Sequence, residues 1–203
     1  PSGSGLVKFS VDAAAVNAAA ANSGVIVAEG GQVVMAASAL GDALATVVNH
    51  SGVIRATSAA ERDGLIVLSG GASGLTRVAG TLDASGAAPD QQGGTIKVLG
   101  DKVALASGAR LDASGPAGGG TVLVGGNYQG RGLEQNATLT LVAPDAVIDA
   151  SATRTGDGGK VVIWSDQATG FYGTVKATGG AKGGEGGFAE VSGKQSLAFE
   201  GAA

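Results

Sequence analysis

Six tetrapeptides of the form x-Φ-x-A, where Φ is apolar, divide this 203-residue chain: "VIVA" at Val25, "VIRA" at Val53, "TLDA" at Thr81, "RLDA" at Arg110, "VIDA" at Val147 and "TVKA" at Thr174. Their starts lie 28, 28, 29, 37 and 27 residues apart. A nearly fixed period of this size marks a repeat architecture, in which one short unit stacks on copies of itself. Each tetrapeptide is followed by a spacer and a glycine step: Gly30-Gly31, Asp63-Gly64, Gly93-Gly94, Gly118-Gly119-Gly120, Gly158-Gly159 and Gly186-Gly187. Each step opens a second apolar segment ("QVVMA", "LIVL", "TIKVL", "TVLV", "KVVIW", "FAEV"). A third then follows ("LATVV", "LTRVA", "KVALA", "TLTLVA", "TGFY", "QSLAF").

Segments of four to six residues that alternate or run apolar read as strands. Hairpin turns of the Asn-Gly kind are missing between them. Equivalent strands recur about every 28 residues instead, so each pairs in parallel with its counterpart in the next unit. The chain is therefore expected to be all-β, a right-handed parallel β-helix of about six coils with three short strands each. Glycine is abundant at 38 residues, aromatics are only 3%, and the core must come from Ala, Val, Leu and Ile. Leu82, Leu111 and Ile148 should stack inward, with Ala84, Ala113 and Ala150 beside them where the corner narrows. Asp83, Asp112 and Asp149 should point out. Spacers such as "GAAPDQQ" and "ATRTGD" are expected to vary freely as external loops.

Residues 1–24 are read as an N-terminal partial coil or cap, its opening "PSGSG" resembling a scar or cut point. Residues 25–203 form the repeat domain, with a longer loop at 125–138. The alanine-rich run Asp12 to Asn22 suits either a short helix or a β-coil with small inward residues.

The chemistry the chain can carry is narrow. It has no cysteine and a single histidine, His50, which removes disulfides, thiolate sites and the usual triads. No metal site, catalytic residue or cofactor is expected. A net charge of -4 with no basic stripe argues against nucleic acid. No apolar run reaches the roughly 18 residues of a membrane helix, so the chain is not expected to span a membrane. No glycine stretch has the Lys-Ser/Thr ending of a phosphate loop. The aspartates could bind Ca²⁺ or sugars, but they occupy a repeat position. They are read instead as bonding their own corners through Ser85, Ser114 and Ser151. His50 is read as a corner residue. Trp164, Phe171 and Tyr172 are read as thickening the core or covering a corner. Two glycosylation-type triplets, at Asn49 and Asn136, carry little information alone.

The 37-residue interval contains "GGNYQGRGLEQNAT". Its Asn127, Tyr128, Gln129, Arg131 and Glu134 are the candidate ligand-binding residues, since aromatic, amide and charged groups on a protruding loop suit a glycan or protein contact. A loop that merely caps one edge is the alternative.

Several stretches resemble the filamentous haemagglutinin-type exoproteins of Gram-negative bacteria: "NSGVIVAEGGQVVMAA", "VVNHSGVIRATS", "GGTVLVGGNYQGRG", "VIDASATRTGDGGKVVIWSDQATGFYGTVKATGG" and "GGEGGFAEVSGKQSLAFEG". The resemblance runs from about Leu6 onward. It implies a right-handed β-helix, two-partner secretion through an outer-membrane transporter, and a place on the cell surface as part of a large secreted adhesin. The family's amino-terminal "NPNG"-type motifs are absent, so the chain is expected to be an internal segment. The expected role is structural or adhesive, with a host or bacterial surface ligand. A carbohydrate-binding module and a polysaccharide-degrading enzyme are the alternatives.

Overall fold

The structure, a computed structural model, describes residues 5–11, 19–37, 46–58 and 63–203. Among these, twenty strands form three parallel sheets. Sheet A contains β1 (Leu6–Val11), β4 (Gln32–Ala37), β7 (Leu65–Ser69), β10 (Thr95–Leu99), β13 (Thr121–Val124), β16 (Lys160–Ser165) and β19 (Phe188–Gly193). Sheet B contains β2 (Ala20–Asn22), β5 (Thr46–His50), β8 (Leu75–Val78), β11 (Lys102–Leu105), β14 (Leu139–Val142), β17 (Ala168–Phe171) and β20 (Ser196–Phe199). Sheet C contains β3 (Val25–Val27), β6 (Val53–Arg55), β9 (Thr81–Asp83), β12 (Arg110–Asp112), β15 (Val147–Asp149) and β18 (Thr174–Lys176). The chain visits A, B and C in turn, so each successive triplet is one coil of a β-solenoid of about six turns. We number the coils from 1 (β1 to β3) to 6 (β16 to β18), with β19 and β20 beginning coil 7.

The x-Φ-x-A segments are the strands of sheet C, and the second and third segments are those of sheets A and B. Leu44 and Ala45 of the first "LATVV" lie outside the described residues. So do residues 12–18 of the alanine-rich run, whose Ala20–Asn22 portion is strand β2.

The register explains the core. Ile54, Leu82, Leu111, Ile148 and Val175 pair rung to rung in sheet C and are buried. Sheet A supplies Val33, Ile66, Ile96, Val122 and Val161, again in register. Burying each such side chain contributes about 1.5–3 kcal/mol. Sheet B places Thr76, Thr140 and Thr169 inward, where each hydroxyl donates to a carbonyl at the end of sheet A one coil on: Leu99 at 2.6 Å, Trp164 at 2.7 Å and Ser192 at 2.8 Å. A buried hydroxyl therefore costs little, because it is paired.

The second glycine of each step stacks on its counterpart one coil back with no room for a side chain. A Cβ on Gly94 would sit 2.2 Å from the Gly64 oxygen, and one on Gly120 2.1 Å from that of Gly94. The same holds for Gly159 over Gly120 at 2.0 Å and Gly187 over Gly159 at 2.1 Å. No other residue fits that column.

Two expectations are corrected. The spacers are not free loops: isolated parallel bridges join Ser58 to Gly86, Gln92 to Gly118 and Gly115 to Ala152. Within "GAAPDQQ", the Gln91 side-chain oxygen accepts from the amides of Ala87 and Ala88, both at 2.9 Å. Their backbone groups need partners as much as those of the strands do. His50 is not a corner residue either. It is fully buried, facing inward from β5 in the column continued by Val78, Leu105, Val142 and Phe171.

Candidate functional site

The excursion at 125–138 departs from β13 and returns to β14. Its base is closed by the Ala137 amide donating to the Gly125 oxygen at 2.7 Å, and Thr138 is held on Asp101 through its amide at 2.7 Å and its hydroxyl at 2.8 Å. Between these points the chain folds back over the outer face of sheet A. The reason lies in β13 and β16, whose outward positions carry Leu123, Val162 and Trp164 in place of polar residues. These three form a separate buried cluster outside the solenoid wall. Trp164 is only 9% exposed because the loop lies on it. Gly130, at φ +64°, crosses the indole so closely that a Cβ would lie 2.6 Å from the ring. The Trp164 Nε1 donates to Asp166 at 3.1 Å, and the Asn136 amide donates to the Gly130 oxygen at 2.9 Å.

Most of the candidate ligand-binding residues are committed to this strap. Glu134 receives Lys97 Nζ of β10 at 2.8 Å and Asn127 Nδ2 at 2.7 Å. Lys97 and then Asn127 hold its carboxyl down at about 2, against an ordinary 4.5. Asn127 Oδ1 accepts from the Tyr128 amide at 2.7 Å and from Lys160 Nζ of β16 at 3.3 Å. Tyr128 meets Phe188 of β19 edge-on with centroids 5.4 Å apart, and Lys160 lies 5.7 Å above its ring. Gln129, the one described non-glycine residue at positive φ (55°), donates its amide to Glu190 of β19 at 3.0 Å and its side chain to the Tyr128 hydroxyl at 3.0 Å. Gln135 reaches the Gly71 oxygen, 64 residues away, at 2.9 Å. The strap thus ties the corner after β7 to β10, β16 and β19.

Arg131 differs from the other four in making neither a side-chain hydrogen bond nor an ion pair among the described residues, although Tyr128 and Gln129 are exposed as it is. Beside it Leu133, which the sequence reading did not single out, is completely exposed at 103%. Its signal was a large aliphatic residue between Gly132 and Glu134, outside any alternating pattern.

The aspartate ladder is real and structural. Asp83, Asp112 and Asp149 stand in register on sheet C. Each accepts from the amide two residues on, at 3.1 Å from Ser85, 2.9 Å from Ser114 and 2.9 Å from Ser151. Arg55 caps the row on Asp83 at 3.0 Å. Phe171 is core, and Trp164 lies under the strap. Of the glycosylation-type triplets, Asn136 is occupied within the strap, and Asn49 accepts from Arg77 at 3.3 Å. No group of acidic or histidine side chains among the described residues is arranged to hold a metal. No helix among them is long and apolar enough to cross a membrane.

No protein-family profile matches the chain, and no curated protein sequence matches it. Among solved structures it is similar to the HMW1 secretion domain from Haemophilus influenzae, at 28% identity and a TM-score of 0.75. The match covers 90% of this chain and 46% of that one, so the chain spans just under half the length of that structure.

Proposed function

We propose that this chain is a non-enzymatic solenoid segment of a secreted two-partner secretion exoprotein, of the filamentous haemagglutinin type, exported through an outer-membrane transporter and exposed at the cell surface for attachment. The observation that carries the reading is the likeness to the HMW1 secretion domain over 90% of the chain. The coil-on-coil register supports it, since almost every contact joins neighbouring coils and a chain emerging from a pore can lay down one coil at a time. The test is export of the full-length protein in a Gram-negative host with and without its transporter. Transporter-dependent release into the medium is expected; equal release without the transporter refutes the reading.

Within that reading, adhesive contact is assigned to the tip formed by Arg131 and Leu133 rather than to all five loop residues. Asn127, Tyr128, Gln129 and Glu134 spend their polar groups inside the strap, which leaves few donors and acceptors for a sugar. An exposed Leu beside a free guanidinium suits an apolar protein surface bearing carboxylates. Glycan-array binding that is abolished by Arg131→Ala would instead favour the carbohydrate-binding alternative.

A further inference from the structure

His50 is the chain's only histidine and sits where the later coils place Val78, Leu105, Val142 and Phe171. It is completely buried and bonded on both ring nitrogens. Nε2 lies 3.1 Å from the Thr81 oxygen of coil 3. A carbonyl only accepts, so Nε2 carries the hydrogen. Nδ1 lies 3.2 Å from Asn22 Nδ2 of coil 1 and therefore accepts from it. The Asn22 amide is fixed in that sense, because its Oδ1 accepts from the Gly24 amide at 3.1 Å and its Nδ2 reaches the Gly24 oxygen at 3.3 Å. One neutral imidazole thus joins three successive coils.

Protonation breaks this arrangement. A hydrogen on Nδ1 would face another N–H donor, and turning the Asn22 amide over would sacrifice both contacts to Gly24. Nothing charged compensates. β5 packs on β2, β4 and β8, and the ring reaches Thr81 at the start of β9. β2 and β4 carry no charged residue, and Arg77 of β8 and Asp83 of β9 lie on outward positions, Arg77 on Asn49 and Asp83 paired with Arg55 of β6. No carboxylate among the described residues faces the imidazole.

We propose that His50 is an acid-sensitive latch: neutral, it locks coil 1 onto coils 2 and 3, and protonated, it releases coil 1 and bares the parallel edges of β4, β5 and β6. Burial pushes the ring below its ordinary 6.5, against a smaller opposing effect of the Thr81 bond. A group depressed in this way stabilises the fold above its unfolded value, and that contribution is lost as pH falls below about 6.5.

Because the chain has one histidine, a single imidazole NMR signal reports the titration directly. Its midpoint is expected below 6.5. Hydrogen exchange, corrected for the intrinsic pH dependence, should show protection in β2, β3 and β5 falling at least about tenfold between pH 7 and 5, while β16 to β18 hold. His50→Gln keeps a donor for Thr81 and an acceptor for Asn22 without a proton to gain, and should abolish the pH response. An ordinary midpoint near 6.5 in the native protein, or the same acid-dependent loss in His50→Gln, overturns the proposal. Should that variant not fold, the native titration and exchange pattern decide alone.

Discussion

Coils 4 to 7 and coils 1 to 3 share one set of rungs but differ in what is laid across them. In coils 4 to 7 the strap covers Leu123, Val162 and Trp164 and bonds to strands as far apart as β10 and β19. In coils 1 to 3 the strap makes a single bond, from Gln135 to the Gly71 oxygen of coil 3, and no tether spans these coils among the described residues. Leu6, Val25 and Val27 are 59%, 69% and 50% exposed, and His50 is the side chain that bonds to coils 1 and 3 at once. The rungs set the fold in both regions. What differs is cooperativity: nearest-neighbour stacking lets one coil open without the others, whereas a tether spanning several coils makes them open together.

The largest expected effect tests this directly. Ile148→Ala and Ile54→Ala remove equivalent buried rungs and should each cost about 2–5 kcal/mol. Followed by hydrogen exchange, Ile148→Ala should weaken coils 4 to 7 together, and Ile54→Ala only coils 1 to 3. Uniform loss along the chain in both variants would erase the distinction.

Next in size is Trp164→Ala, which removes the floor of the strap and should cost about 3 kcal/mol. Limited proteolysis should then cut between Gly125 and Thr138 while the circular dichroism stays β. Glu134→Gln should cost about 2 kcal/mol, because the amide keeps one acceptor oxygen and turns an NH2 toward the other donor, Lys97 or Asn127. Glu134 is depressed from 4.5 to about 2, so its contribution is present above about 4.5 and is lost as pH falls toward 2. Urea midpoints across that window should fall in the native protein and stay flatter in the variant. The smallest effect is Arg55→Ala, whose exposed ion pair with Asp83 should be worth under about 0.5 kcal/mol in the same titration.

The coil was legible from the period because each rung repeats a local code: a glycine, an apolar residue, an alanine. The Asp-Ser corners were legible for the same reason, as their bonds span two residues. The strap was not, because Glu134 meets Lys97 across 37 residues and Gln129 meets Glu190 across 61. The 37-residue interval marked the loop, and the failure of alternation in "TVLV" and "KVVIW", where apolar residues on the outer face required a cover, was the one trace of where it lies. The inward turn of His50 was not legible, because its neighbours "NHSG" marked a corner and nothing local sets the end of β5 facing the core. What buries it is a pair of hydrogen bonds to residues 28 and 31 positions away.

The glycine column has a mechanical consequence. At one corner of every coil, backbone rests on backbone with only hydrogen between. A methyl group at Gly120 would stand 2.1 Å from the Gly94 oxygen and would have to push the coils apart by more than about 1 Å at that corner alone. The other two sides would keep their spacing, so the stack would tilt there like a column with a shim under one edge. A rod built this way owes its straightness to the smallest side chain it has, and its aim is set wherever that column is interrupted.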